Sequence, residues 1–155
     1  MTSAIAWIDG QWGTAANLNL PLDDRALLLA DGLFETVLIR KGQPQLLQEH
    51  LLRWRDSAAL LGMDAPPQGD RLEPLIEEAI QRSQLSEADG ALRLNWSRGS
   101  TSQRGIGLPV SGHHRFWLTL QPCTPTFSPV TTITSRHERR NASSRLSRCK
   151  TFAYG

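Results

Sequence analysis

The chain has 155 residues, 39% of them hydrophobic, which suffices for one ordinary domain with a real core. Its 17 basic and 15 acidic residues leave a net charge of only +2, so electrostatics alone announces neither a nucleic-acid binder nor a membrane-surface protein. No apolar run is long enough to cross a bilayer, the N-terminus lacks a basic region followed by a greasy one, and Cys123 and Cys149 match no metal or disulfide spacing; a cytoplasmic protein with reduced thiols and no bound metal is expected.

Ile5-Ala6-Trp7-Ile8 before Asp9-Gly10 reads as a strand entering a tight turn, with Gln11-Trp12 as the return. After Asp23-Asp24-Arg25 and an apolar run to Ala30 comes Asp31-Gly32-Leu33-Phe34-Glu35-Thr36-Val37-Leu38-Ile39, whose β-branched tail predicts a strand. A Lys41-Gly42 turn and Gln45-Leu46-Leu47 are expected to complete a second hairpin. From Gln48 to Met63 the apolar residues Leu51, Leu52, Trp54, Ala58, Ala59, Leu60 and Leu61 take helical spacing, stopped by Gly62 and Pro66-Pro67. A second helix is expected over 70–84, burying Leu72, Leu75, Ile76, Ala79 and Ile80, with Pro74 tolerated in its first turn. Alternation returns in Ala91 to Ser97 and Arg115 to Leu120, joined by a long glycine-rich loop bearing Arg98 and Arg104; Val130 to Thr134 reads as a further strand. The sum is an α+β domain, mostly antiparallel sheet with two or three helices packed on it.

Fifteen of the basic residues are arginine, and only Lys41 and Lys150 are lysine. Chemistry that needs an amine must use one of these two, because arginine stays protonated whereas a desolvated lysine can form a Schiff base. Lys41 lies in a turn composition and is expected to be solvated. Lys150, after Leu146-Ser147-Arg148-Cys149, is the candidate; read without its context it is more simply a surface lysine in an arginine-rich loop.

Four segments supply that context. Asp24-Arg25 leading to Asp31-Gly32-Leu33-Phe34-Glu35-Thr36 is the first, and Glu49-His50-Leu51-Leu52-Arg53-Trp54-Arg55-Asp56-Ser57-Ala58 the second. Arg98-Gly99-Ser100 through Arg104-Gly105 is the third, and Leu146-Ser147-Arg148-Cys149-Lys150-Thr151 the fourth. Together and in this order they resemble the signature of the class-IV aminotransferases, pyridoxal-phosphate enzymes of fold type IV. The resemblance implies that residues 1–125 form the family's small N-terminal domain and 126–155 begin its larger cofactor-binding domain. It also implies a homodimer, no nucleic-acid partner and no membrane.

By that resemblance Lys150 carries the cofactor, helped by Arg145 and Arg148 if they lie close enough to disfavour its charged form. Arg53 falls where the family grips the cofactor phosphate, a role its planar fork suits; the plainer reading is a helix-surface ion pair with Glu49. Arg104 matches the arginine that receives a substrate carboxylate, and Phe34, Arg93 and Arg98 fall on substrate-side positions; the plainer reading of Arg93 is a strand arginine turned outward to solvent. Glu35 is expected to support the cofactor site by hydrogen bonding, and His50 to pack the helix. The run Arg136-His137-Glu138-Arg139-Arg140 has no interleaved aromatics, so it reads as solvated rather than as a nucleic-acid patch.

Within the family, D-amino-acid aminotransferases carry tyrosine at the position of Phe34 and histidine at that of Ile106. Branched-chain enzymes carry tyrosines at those of Leu29 and Ala91, though Arg93 matches one of their arginines. Aminodeoxychorismate lyases share Phe34 and the Arg98–Gly105 loop pattern. The leading expectation is therefore a lyase forming 4-aminobenzoate and pyruvate from 4-amino-4-deoxychorismate, in folate biosynthesis. An aminotransferase for branched-chain or D-amino acids is the alternative, and a non-catalytic binding module the alternative of another class. Family members continue well beyond this length and Ala153 stands where asparagine is common, so the chain is expected to be a fragment that alone holds the cofactor weakly and is inactive.

Overall fold

The computed structural model describes residues 2–101, 105–109 and 113–153. Strand β1 (Ile5–Ile8) turns at Asp9-Gly10 into β2 (Gln11–Gly13), and a five-residue helix α1 (Arg25–Leu29) precedes the long strand β3 (Gly32–Arg40). A tight turn leads to β4 (Gln43–Pro44), then helices α2 (Leu47–Leu60) and α3 (Glu73–Arg82), and finally β5 (Gly90–Ser97) and β6 (Arg115–Pro122). The six strands form one sheet in the order β2-β1-β6-β5-β3-β4, every pairing antiparallel.

Side chains alternate across a strand, so register decides which residues share a face. Opposite Leu33, Val37 and Ile39 of β3 stand Trp96, Leu92 and Gly90 of β5, and opposite Leu94 and Leu92 stand Leu118 and Leu120 of β6. This face meets Leu51, Trp54 and Ala58 of α2 and Ile76, Ala79 and Ile80 of α3, which form the core. Trp54, 1% exposed, is among its largest side chains and sits 6.1 Å from the Phe116 ring. Burying such a ring contributes roughly 3 kcal/mol.

Several expectations are corrected. The second hairpin returns through Gln43–Pro44 instead of 45–47, because Leu46 takes a left-handed backbone and Leu47 already begins α2. Leu52 and Leu60 point outward, 50% and 41% exposed, while Ser57 takes a buried place on α2. The helix expected over 70–84 divides into a 3-10 turn at Gly69–Arg71 and α3, with Pro74 in the first turn of α3. Val130 to Thr134 forms no strand; Val130 and Ile133 are 81% and 93% exposed, since neither sheet edge pairs with them and a lone strand cannot satisfy its backbone.

Where the short β4 leaves the first half of β3 unpaired, residues 149–152 take the vacant edge. Phe34 N donates to Lys150 O at 2.9 Å, Phe152 N donates to Gly32 O at 3.0 Å, and Leu33 bridges Thr151. Period-2 alternation then buries the thiol of Cys149 in the core and sends Lys150 to the other face.

Candidate functional site

The second face of the sheet carries Phe34 and Thr36 from β3, Arg93 and Asn95 from β5, and Trp117 and Thr119 from β6, all in matched register. Onto this face the edge segment adds Lys150, its Nζ 5.0 Å from the centre of the Phe34 ring. The Arg93 guanidinium lies 3.7 Å from the same ring centre, and its Nε donates to Asn95 Oδ1 at 2.9 Å. Burial pulls the Arg93 guanidinium below its usual pKa, a desolvation effect that an anionic ligand would offset. Phe152 stacks parallel to Phe34, ring centres 6.3 Å apart, and tilts against Trp117 at 5.6 Å. An amine, a guanidinium and three aromatic rings thus share one surface.

Arg53 belongs elsewhere. Projecting from α2, it forms a two-pronged ion pair with Glu35, Nε to Oε1 at 2.7 Å and Nη2 to Oε2 at 2.5 Å. His50 Nδ1 lies 2.8 Å from the same Oε2. The expected partner Glu49 is therefore replaced by Glu35, which β3 buries to 1% on the helix side of the sheet, and His50 is a hydrogen-bond partner of that carboxylate more than a packing residue. Buried carboxylates need such partners. The half-exposed Arg53 side chain lines a groove of about 360 Å³ together with Ser57, Arg148 and Cys149. The groove also carries Glu49 and Asp56, so its two guanidiniums, beside the segment that bears Lys150, are partly balanced; their planar forks remain the groups there that a phosphate would engage.

The structure thus gathers Phe34, Arg93 and Lys150 on one face, and sets Arg53 with Arg148 in a groove at its edge. Arg104 lies outside the described residues. Arg98 is drawn away from any substrate role: its side chain is buried, bonds Asp31 at 3.0 Å, and donates to the carbonyls of Leu61 and Gly62 at the end of α2, each at 3.0 Å. Sequence reasoning assigns no role to Phe152, to Asn95 or to the buried ionic cluster of Asp24, Arg25, Asp31, Arg98 and Arg115. Two acids flanking Arg25 and an otherwise apolar run, Asp24 and Asp31, are the available signal for that cluster.

A sequence model of the family described as Amino-transferase class IV matches residues 32–155, and the chain belongs to that family. It is 48% identical over 82 residues to the "Bifunctional aminodeoxychorismate lyase / D-amino acid transaminase" of Mycobacterium tuberculosis, a match covering 52% of this chain and 28% of that protein. Among solved structures it resembles a hypothetical aminotransferase from M. tuberculosis in its PLP-bound form, with 32% identity and a TM-score of 0.62 over 77% of this chain and 40% of the other. The 4-amino-4-deoxychorismate lyase of Pseudomonas aeruginosa is 27% identical with a TM-score of 0.56, covering 80% and 41%. A PLP-bound aminotransferase from Brucella abortus, 20% identical, shares the fold over 96% of this chain and 53% of its own, with a TM-score of 0.78. The chain spans between about a quarter and a half of these relatives' lengths.

Proposed function

We propose that this chain supplies the small domain, residues 1–125, and the start of the cofactor-binding domain, residues 126–155, of a pyridoxal-phosphate lyase. The reaction is conversion of 4-amino-4-deoxychorismate to 4-aminobenzoate and pyruvate. The observation that carries this reading is Lys150 Nζ held over Phe34 on the open sheet face, beside the Arg93 guanidinium. The relatives named for lyase activity support it.

The residues fit the cofactor's chemistry: Lys150 offers the amine that an aldehyde requires, and Arg53 with Arg148 the cations that a phosphate requires. Bound there, pyridoxal phosphate supplies an electron sink for a carbanion. Glu35 holds the Arg53 fork in one orientation, so little side-chain freedom is lost on gripping an anion. Lys150 Nζ would serve as anchor and then take the ring proton as the ring C–O bond breaks and the ring becomes aromatic; that proton, passed to the departing enolpyruvate, gives pyruvate. Phe34, buried beneath Arg93 and Phe152, brings no hydroxyl to an α-carboxylate. Arg93 and Arg104 receive carboxylates.

A second reading is transamination of D- or branched-chain amino acids, which Arg93 on the open face favours as a carboxylate partner. Assay of the intact lyase proposed above with aminodeoxychorismate against a panel of L- and D-amino acids separates the two; faster turnover of any amino acid would overturn the lyase reading. Arg53→Met is expected to weaken pyridoxal-phosphate binding about tenfold or more, about 1.4 kcal/mol, in a fluorescence titration. Unchanged affinity would remove Arg53 from the phosphate site.

A further inference from the structure

Asn95 is 2% exposed on the face of the sheet that carries Lys150, and no step of the proposed reaction uses it. Register sets it in one row between Phe34 of β3 and Trp117 of β6. A buried amide must find partners for both its oxygen and its nitrogen. Here Oδ1 accepts from Arg93 Nε at 2.9 Å, and Nδ2 donates to the Trp117 carbonyl at 3.4 Å. These two partners leave the amide one orientation, because a guanidinium only donates and a carbonyl only accepts. Asn95 is thereby tied to β6 at one end and holds Arg93 at the other.

Arg93 is held from two sides: its guanidinium carbon lies 3.7 Å from the centre of the Phe34 ring, and its Nε is taken by Asn95. A planar guanidinium offers an oxyanion a side-on edge, made of Nε and one Nη, and an end-on edge made of both Nη atoms. The bond to Asn95 closes the side-on edge, so the fork left to a ligand is Nη1 with Nη2. Arg93 forms no ion pair among the described residues, and its neighbours across the sheet, Thr36 and Thr119, are uncharged. An aspartate at position 95 could take the same Nε, yet it would cancel the charge. The amide orients the cation through a dipole and leaves its charge whole.

We infer that Asn95 is a positioning residue for the substrate carboxylate, a neutral amide that presents Arg93 end-on to the open face with its charge uncompensated. It acts only through Arg93, and the inference rests on the reading of Arg93 as a carboxylate partner given under the proposed function. Geometry and charge are then separate requirements, which two variants of similar size distinguish. Asn95→Asp keeps an acceptor for Nε and adds a negative charge. Asn95→Leu removes the acceptor and adds none.

Two measurements on the intact lyase test it. In 15N-edited spectra without substrate, the Arg93 Nε–H, assigned by its disappearance in Arg93→Lys, is expected to exchange with water about tenfold more slowly than those of exposed arginines. Asn95→Asp should keep that protection and Asn95→Leu should lose it. An unprotected Nε–H in the wild type, or protection that survives in Asn95→Leu, overturns the inference; the wild-type spectrum decides even if a variant does not fold. In steady-state kinetics with aminodeoxychorismate, both variants are expected to raise KM about tenfold and to leave kcat within about twofold. Unchanged KM in either variant overturns the inference, and a fall in kcat alone does so by marking a purely structural role. Failure of the wild type to turn over aminodeoxychorismate or any amino acid would strike the proposed function instead, and the exchange measurement would still judge the hold on Arg93.

Discussion

In the intact lyase, replacing Lys150 by alanine is expected to abolish covalent capture of pyridoxal phosphate and to slow turnover by roughly 10²–10⁴-fold through loss of proton transfer alone. The measurement is borohydride reduction in the presence of the cofactor, followed by intact mass and peptide mapping. Its reading is clean because the chain has only two lysines, and Lys41 sits exposed in the turn before β4. Lys41→Ala should gain the mass of one reduced cofactor, and Lys150→Ala none. Adduct mapped to position 41, or to the N-terminal amine, would remove the basis of the functional reading. A Lys150→Arg protein should behave like the alanine variant, since arginine keeps the charge but stays protonated.

Gly32→Val tests whether the edge segment is what presents that amine. Gly32 has no room for a side chain: a Cβ there would strike the Phe152 ring and come within 2.7 Å of the backbone oxygen of Trp96. The ring can give way more readily than the Trp96 backbone, so the expected response is that residues 149–152 lift from β3 while the β3–β5 pairing at Gly32 shifts by a few tenths of an ångström, at a cost of about 1–3 kcal/mol. Two signals should follow together. The urea midpoint falls, and Cys149, 2% exposed in the native fold, begins to react with a thiol reagent about as fast as the half-buried Cys123. If Cys149 stays protected while the protein remains folded, the segment is held by something other than its pairing with β3. Cofactor capture should fall in step with thiol exposure, because both report the same peeling of one strand.

Much of the sheet was legible in the sequence because long strands write their period plainly. β1, β3, β5 and β6 each alternate over four or more residues, and the expected segments coincide with the observed ones. Short elements leave no period to read, which is why the two-residue β4 was misplaced and the five-residue α1 had no expectation attached. Val130 to Thr134 has strand composition but finds no edge, and pairing is a property of the fold rather than of the segment. The site divides in the same way. Lys150, Arg53, Phe34 and Arg93 were named from motifs, yet that Phe34 and Arg93 share a face with Lys150, and that Arg53 does not, follows from register. The pairing of Glu35 with Arg53 was hidden for a like reason: a charge at an inward strand position reads as an error until the helix above it supplies a counter-ion.

The amine and the thiol at positions 150 and 149 are neighbours in sequence and antipodes in space, separated only by the pleat of the backbone they share. Slippage of that strand by a single residue would exchange them, burying a cation under α2 and offering sulfur to the ligand surface. Two main-chain hydrogen bonds and a ring-sized notch at Gly32 are what keep nitrogen and sulfur on their proper sides, so the fidelity of one edge pairing is also the choice of nucleophile.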